Sequence, residues 1–199
     1  SLSSITIPDG VTSIGGSAFQ NCYSLSSITI PDGVTSIGNG AFYYCYSLSS
    51  ITIPNSVTSI SGSTFFGCYS LSSVTIGNSV TSIGSSAFQN CSYMESIKFT
   101  STPPPTVSSS STWTNVPSTC IMLVPINTFA AYTTATNYPS SSTYTYLVFG
   151  TYESGESLPS TSTDNYTLTW YASIADAIAQ TNPITTGNGN EIYARCVAI

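Results

Sequence analysis

Apolar and polar residues alternate over short stretches in the first half of the chain, as they do in β-strands that bury one face. In the first stretch Leu2, Ile5 and Ile7 fall on one side, and serine and threonine fall on the other. A Pro-Asp-Gly turn follows, and then a second short stretch in which Val11 and Ile14 share a side. The pattern predicts two short strands separated by a tight turn.

This pattern returns every 23 residues. The fifth copy opens at Met94 and then diverges. One unit cannot bury its own apolar side, but stacked units share a core, so we predict a β-rich solenoid with coils about 4.8 Å apart. The four full repeats occupy residues 2–24, 25–47, 48–70 and 71–93.

The repeated string L-x-x-I-x-I-P-x-x-V-x-x-I-G-x-x-A-F-x-x-C resembles the BspA-like leucine-rich repeat of surface and secreted proteins in bacteria and some protists. The resemblance implies a right-handed parallel β solenoid and a location on the cell surface or outside the cell. It also implies adhesion to host or matrix proteins, and no catalytic activity.

Residues 94–147 resemble the unit that closes such solenoids. Their segment CIMLVPINTFAAYTTATNY predicts a strand at Leu123–Pro125 and a short helix that buries Phe129, Ala130, Tyr132 and Ala135. A closing unit is expected because an open sheet edge would otherwise pair with another chain. We therefore predict a first domain, the leucine-rich-repeat solenoid, over residues 1–147.

Residues 148–199 lack the 23-residue pattern and resemble the internalin B-repeat, also called the Listeria–Bacteroides repeat. The resemblance rests on a Y-x-x-G-x-x-L-P turn starting at Tyr152, the Trp170-Tyr171 pair and Glu191–Arg195. It implies a small β-grasp-like spacer. Two features depart from the family: Cys196 stands where an aromatic residue is usual, and residues 173–180 have helical spacing.

Charged residues make up 5% of the chain, against about 25% in a typical soluble domain. With a net charge of −6 and two cations, Lys98 and Arg195, the chain offers no basic patch for nucleic acid. Histidine is absent, which removes the usual general base and the commonest metal ligand. We expect no cofactor, no metal site, and no membrane insertion, since no run of 18 apolar residues occurs.

The chain starts with Ser1 inside the repeat pattern, without an initiator methionine or a charged leader. We therefore expect a processed or truncated chain, with a secretion signal and upstream repeats as the parts that could have been lost.

Two columns of chemically active residues recur with the repeat. The cysteines are expected to fill one corner as buried thiols, with disulfides or a metal site as alternatives. The Asp/Asn column is expected to stabilise turns, with calcium as the alternative. These columns are Cys22, Cys45, Cys68 and Cys91, and Asp9, Asp32, Asn55 and Asn78.

Two further columns are candidate binding residues on the outer surface. A threonine line on the strand face lies within a nearly uncharged field of hydroxyls, and a tyrosine follows three of the corner cysteines. Such surfaces suit a protein or a glycan, although a tyrosine column could instead only stiffen the solenoid. The candidates are Thr6, Thr29, Thr52 and Thr75, and Tyr23, Tyr46 and Tyr69.

Three functions remain open from the sequence. The first is adhesion or protein or glycan binding by a surface protein, with an unidentified host or matrix partner. The second is a structural spacer within a larger surface protein. The third is a carbohydrate-active enzyme, for which Glu153 and Glu156 are the available carboxylate pair.

Overall fold

Two short strands form in each coil because the apolar positions alternate on both sides of the turn. The computed structural model describes residues 2–151, 154, 157–160, 166–187 and 191–198. The first column of strands contains β1 (Ser4–Thr6), β3 (Ser27–Thr29), β5 (Ser50–Ile53), β7 (Ser73–Ile76), β9 (Ser96–Phe99) and β11 (Ile121–Pro125). The second column contains β2 (Ser13–Ile14), β4 (Ser36–Ile37), β6 (Ser59–Ile60), β8 (Ser82–Ile83) and β10 (Thr106–Val107).

The strands pair in parallel, and residues 23 apart are partners through the first four coils, as Ser50 and Ser73 show. The predicted parallel β solenoid is therefore confirmed, and it has about six turns. The last turns escaped the repeat count because Pro103–Pro105 and the segment around Trp113 interrupt the pattern. Among the described residues, no strand pairing joins β3 to β5, so the first column divides there.

The corner after the second strand uses two left-handed residues in each of the first four coils. In the first coil these are Ser17 (φ 57°) and Asn21 (φ 61°). With these two residues left-handed, the N–H groups of Ser17, Phe19 and Asn21 donate hydrogen bonds to carbonyls of the next coil, at 3.0, 2.7 and 2.8 Å. The corner is therefore held by hydrogen bonds between coils even though it is not a strand.

A stack of aromatic rings runs through the core along the solenoid axis. Successive centroids are 5.2, 5.3, 5.5 and 5.8 Å apart, with interplanar angles of 12° or less. Trp113 takes the place of phenylalanine in the fifth coil. The stack consists of Phe19, Phe42, Phe65, Phe88 and Trp113.

The first coil is more exposed than its copies, because no coil in the structure stacks on its outer side. Leu2 and Ile5 are 43% and 38% exposed, whereas their copies Leu25 and Ile28 are buried. Val11 is only half-buried. In the first coil, therefore, Ile7 and Ile14 are buried as predicted, whereas Leu2, Ile5 and Val11 are not.

The sheet does not end at the predicted closing unit. Strand β12 (Thr145–Thr151) pairs in parallel with β11, and β15 (Glu191–Ala198), β13 (Tyr166–Tyr171) and β14 (Pro183–Ile184) extend the sheet in antiparallel order. The expected edge at residue 147 thus lies inside β12, because Leu147 pairs with both Leu123 and Arg195. A division into two domains stays a prediction, as does the likeness of residues 148–199 to the β-grasp-like B-repeat.

Two short helices accompany these strands. Of the four residues predicted on the buried side of helix α1 (Phe129–Thr134), only Tyr132 is buried, and its hydroxyl donates to the Ser101 carbonyl at 2.8 Å. Phe129, Ala130 and Ala135 are half-buried, and Ala135 follows the last helical residue. Helix α2 (Ile174–Ala179) matches the helical spacing at residues 173–180, and Ser173 caps it by accepting from the Asp176 N–H. Both helices pack against strands of the extended sheet.

One ion pair joins the solenoid to the later strands. Lys98, on β9, bonds to Glu191, on β15, and its ammonium lies 4.5 Å from the centre of the Phe149 ring. The Tyr193 hydroxyl donates to the other oxygen of Glu191 at 2.8 Å. Lys98 pairs with Thr75 across the strands, so the threonine line ends at this ion pair.

Candidate binding surface

Tyr23, Tyr46 and Tyr69 form a column of stacked rings at the corner before each first-column strand. The centroids are 4.8 Å apart for the first pair and 5.1 Å for the second, with interplanar angles of 23° and 25°. Each ring covers a face of its neighbour, so the column turns ring edges and hydroxyls to solvent. Tyr23 and Tyr69 are 49% and 39% exposed. The structure brings the three candidates together, and their role in binding stays a prediction.

A second, shorter row runs beside this column. The Tyr43 and Phe66 rings stack at 4.9 Å with an interplanar angle of 8°. The Tyr44 ring lies between the rows, tilted, 4.4 Å from Tyr43 and 5.4 Å from Tyr46. We call the six residues the aromatic patch: Tyr23, Tyr43, Tyr44, Tyr46, Phe66 and Tyr69.

Tyr44 adopts a backbone conformation that bulky side chains rarely take. Its φ is 59°, and the copies of this position in other coils, Asn21, Gly67 and Asn90, are also left-handed. Asparagine and glycine tolerate this region, whereas for tyrosine it costs about 1–2 kcal/mol. Strain of this kind is often found at functional sites.

The ring of Tyr44 fits only because the next coil has glycine beneath it. A Cβ placed on Gly67 would lie 2.2 Å from Cδ1 and 2.4 Å from Cε1 of Tyr44. The two residues therefore form a matched pair between the second and third coils.

The solenoid does not need aromatic residues at these two positions. The first coil has Gln20-Asn21 and the fourth has Gln89-Asn90, where the middle coils have Tyr43-Tyr44 and Phe66-Gly67. The backbone hydrogen bonds along this column are the same in each case, at 2.8–2.9 Å. The aromatic residues are thus additions to a corner that also forms with glutamine and asparagine.

The aromatic patch is uncharged at neutral pH. A hydrogen bond with the Tyr44 side chain, together with desolvation, raises the pKa of Tyr43. Desolvation and the neighbouring tyrosines raise the pKa of Tyr46. Between residues 10 and 94 the sequence has one charged residue, Asp32, which lies at a Pro-Asp-Gly turn and lines the strand face.

The hydroxyl columns of the strand face divide into two kinds. Ser26, Ser49 and Ser72 each donate to the carbonyl of the residue 23 positions earlier, at 3.1–3.2 Å. These hydroxyls use their only donor to connect coils, so they can offer a ligand acceptors alone. In the described part of the chain, by contrast, the hydroxyls of the predicted threonine line have no hydrogen-bond partner. The line consists of Thr6, Thr29, Thr52 and Thr75.

The threonine line borders two depressions on the strand face. One, of about 410 Å³, lies where β3 and β5 do not pair and is lined by Thr29, Thr52 and Asp32. The next, of about 370 Å³, shares Asp32 and Thr52 and continues to Thr75 and Asn78. No residue of the aromatic patch lines either depression. The threonine and tyrosine candidates therefore belong to two separate surfaces.

The cysteine column contributes to the core and to hydrogen bonds between coils. None of the six cysteines forms a disulfide, and Cys45, Cys68 and Cys91 are buried, as predicted. Their thiols donate to phenylalanine carbonyls of the preceding coil at 3.1–3.3 Å. Burial raises the pKa of Cys45 to about 12.

In the Asp/Asn column, Asn55 Oδ1 accepts from the Asn78 N–H at 2.9 Å, which links coils. The expected bond to the residue's own turn is thus replaced at this pair. No group of three or more metal-binding side chains converges in the part of the chain that the structure describes. Glu153 and Glu156, the carboxylate pair considered from the sequence, lie outside the described residues. Nor does any helix of the described ranges have the length and apolar character to cross a bilayer.

The repeat pattern matches a known family over more than half of the chain. The profile of the BspA type leucine rich repeat region fits residues 1–121 in six copies. The chain belongs to the BspA type leucine-rich repeat family. Leucine-rich repeats of this type are a non-catalytic fold class.

Solved structures support the assignment of the fold. A T. pallidum leucine rich repeat protein is 21% identical, with a TM-score of 0.53, over 61% of this chain and 58% of that one. The pneumococcal vaccine antigen PcpA is 18% identical, with a TM-score of 0.51, over 72% of this chain and 40% of that one. At these identities the likeness concerns the fold.

A leucine-rich repeat protein from Bacteroides ovatus is 34% identical over 49% of this chain and 25% of its own length, with a TM-score of 0.46. The BspA type chain thus spans between 25% and 58% of these solved relatives. No curated protein matches it significantly.

The sequence pattern predicted the tyrosine column but not the pairing of Tyr44 with Gly67. The signal was present in the repeat alignment, where Tyr44 stands against Asn21 and Asn90. A tyrosine at a position otherwise filled by left-handed formers points to strain. The division of hydroxyls into bonded and unbonded columns could not be found in this way, because a serine or threonine hydroxyl can either donate to a carbonyl of the preceding coil or face solvent.

Proposed function

We propose that this chain is a non-catalytic binding module of a cell-surface or secreted protein, and that it holds a host or matrix partner through the aromatic patch. Membership of the BspA type family and the nearly chargeless, hydroxyl-rich surface support the surface location. The resemblance to exported repeat proteins supports adhesion as the purpose of the binding.

One observation carries the proposal: Tyr43, Tyr44 and Phe66 occupy positions that other coils fill with glutamine and asparagine while forming the same corner. Tyrosine offers a large contact area at a low cost in conformational entropy, and aromatic residues are enriched in protein interfaces. Six aromatic side chains here lie together at the surface, and Tyr44 holds a strained backbone to complete the cluster. A residue that only stiffened the coil would not favour this conformation.

The alternative of a structural spacer predicts that the rings serve the stacking of coils. The first and fourth coils argue against it, since Gln20-Asn21 and Gln89-Asn90 form the same corner. In the fourth coil, moreover, Ser92 replaces the column tyrosine. The fourth coil therefore stacks on its neighbours without any of these aromatic residues.

The threonine line is a second candidate, for a glycan ligand. Its hydroxyls lack partners among the described residues, and they border depressions of about 410 and 370 Å³. Unpaired hydroxyls and the amides of Asn55 and Asn78 suit a neutral polyhydroxylated ligand. This surface is separate from the aromatic patch, so the two roles can be tested independently.

The test uses the intact chain on an array of extracellular-matrix proteins and glycans. The patch variant combines Tyr43→Gln, Tyr44→Asn, Phe66→Gln and Gly67→Asn, which copies the pairs of the first and fourth coils. The control is Tyr93→Ser, which removes a tyrosine that is 71% exposed and outside the aromatic patch.

The proposal expects the patch variant to lose at least tenfold in binding to a ligand that the parent and the control bind equally. Equal binding of every ligand by parent and patch variant would refute it. A companion variant with Thr29→Ala, Thr52→Ala and Thr75→Ala should affect glycan ligands alone.

A further inference from the structure

The aromatic patch has a direction and a spacing that limit what can lie on it. Its longer row, Tyr23, Tyr46 and Tyr69, runs along the solenoid axis in steps of 4.8 and 5.1 Å. The shorter row, Tyr43 and Phe66, has a step of 4.9 Å. A partner that follows the rows meets the same chemistry at each coil, so an extended and regular chain fits better than a compact surface.

The rings offer edges and hydroxyls more than open faces. Stacking covers both faces of Tyr46 and the facing sides of Tyr43 and Phe66. Sugars commonly lie flat on an exposed ring face, which these rows provide only at their ends. Phenol hydroxyls, by contrast, donate hydrogen bonds to backbone carbonyls, and ring edges pack against saturated rings.

Polyproline II has the matching properties. It has no internal hydrogen bonds, so its carbonyls are free to accept, and proline supplies saturated rings at regular intervals. One turn of three residues advances about 9.3 Å. Two coil steps of the longer row, 4.8 and 5.1 Å, nearly equal that advance. Prolines three residues apart would therefore meet equivalent positions beside Tyr23 and Tyr69.

The lack of charged residues in the aromatic patch further limits the chemistry of the partner. Proline-rich ligands that carry arginine or lysine are read by acidic residues beside the aromatic rings. The aromatic patch has no charged member, and Asp32 lines the separate strand face. The partner's contacting segment should accordingly be uncharged.

Building on the proposed function, we infer that the partner's contacting segment is an uncharged proline-rich stretch in the polyproline II conformation, bound along the two aromatic rows over Tyr44. The matched pair of Tyr44 and Gly67 sets the centre of the site, because the tilted Tyr44 ring joins the rows. The strain at Tyr44 is then the cost of placing this ring.

The probe is an oligoproline peptide of about nine residues, three turns of the helix, with acetylated and amidated ends. A neutral glycine-serine peptide of equal length is the flexible control. Isothermal titration calorimetry measures the binding of both peptides to the intact parent chain, the patch variant and the Tyr93→Ser variant. We expect the oligoproline to bind the parent and Tyr93→Ser alike, and the patch variant at least tenfold more weakly. Raising the salt to about 0.5 M should change the affinity less than twofold.

Several outcomes would overturn the inference. They are equal binding of the glycine-serine peptide, no oligoproline binding by the parent, or equal oligoproline binding by the parent and the patch variant. If the array shows patch-dependent binding of a glycan while oligoproline does not bind, the inference fails and the proposed function stands. If oligoproline binding depends on the aromatic patch but all array ligands bind the patch variant normally, the proposed function fails instead.

Discussion

The ring of Tyr44 lies directly on the bare α-carbon of Gly67 in the next coil, where a Cβ would be 2.2 Å from it. Both residues are left-handed, at φ 59° and 68°. Glycine has no steric penalty there and tyrosine has one, so the pair combines a strained residue with the residue that makes room for it.

This pairing predicts a strong dependence of one substitution on the other. Gly67→Asn alone should destabilise by about 1–3 kcal/mol, because its side chain must displace the Tyr44 ring. In a Tyr44→Asn background the same change should cost less than about 0.5 kcal/mol, since Asn90 and Asn115 form such a pair, with their side chains bonded at 2.7 Å. Urea denaturation of the two single variants and the double variant measures the coupling. Additive effects would show that the ring does not depend on Gly67.

The core stack predicts a graded response to removal of a ring. Phe65→Ala should destabilise by about 3–5 kcal/mol, since Phe65 is fully buried between Phe42 and Phe88. Phe19→Ala should cost much less, because Phe19 is half-buried and has one stacked neighbour. Equal costs in chemical denaturation would contradict the stacked order of the coils.

The buried thiols and phenols predict a loss of stability in alkali. Burial raises the pKa of Cys45 from 9.0 to about 12, of Cys120 from 9.0 to about 12, and of Tyr132 from 10.0 to about 12. Above pH 9 the unfolded chain releases these protons while the folded chain keeps them. The free energy of unfolding should therefore fall as pH rises from about 9 toward 12, with no contribution from these groups below that window.

Equilibrium denaturation at a series of pH values tests this. Cys45→Ala removes one of the groups, so its stability should fall less steeply with pH than that of the parent. Parallel slopes for the two proteins would exclude Cys45 as a contributor.

The ion pair between Lys98 and Glu191 predicts a small coupling between the solenoid and the later strands. Both side chains are about a quarter exposed, so solvent screens the pair. Lys98→Thr, which copies Thr75 of the preceding coil, and Glu191→Gln should show a coupling of about 0.5–1 kcal/mol in a double-mutant cycle at low salt. Salt at about 1 M should reduce it. A coupling that salt leaves unchanged would contradict an electrostatic origin.

The sequence was most informative where the repeat is regular. The inward positions, such as Leu25, Ile28 and Phe42, follow from alternation and period, and all are buried. The Trp113 segment escaped notice as a repeat because its spacing is irregular, although its ring continues the phenylalanine stack.

The continuation of the sheet beyond residue 147 was not predictable for a different reason. Strand β12 pairs with β11 through tertiary packing. Residues 148–199 do not carry the 23-residue pattern, so no period in the sequence indicates that pairing. The aromatic patch, too, could be predicted only in part. The tyrosine column follows from the period, whereas the tilt of the Tyr44 ring between the rows depends on Gly67, one coil away.

The central claim is that the aromatic patch serves a partner and not the fold. Thermal unfolding of the patch variant, with Tyr43→Gln, Tyr44→Asn, Phe66→Gln and Gly67→Asn, tests it most directly. The variant loses four ring contacts. Because these contacts lie at the surface, we take the low end of the usual value, about 0.5 kcal/mol each, which relief of about 1–2 kcal/mol of strain at Tyr44 nearly offsets. The Tm should therefore stay within about 3 °C of the parent. A fall of more than about 8 °C would mean that the rings hold the coils together, and would contradict the account.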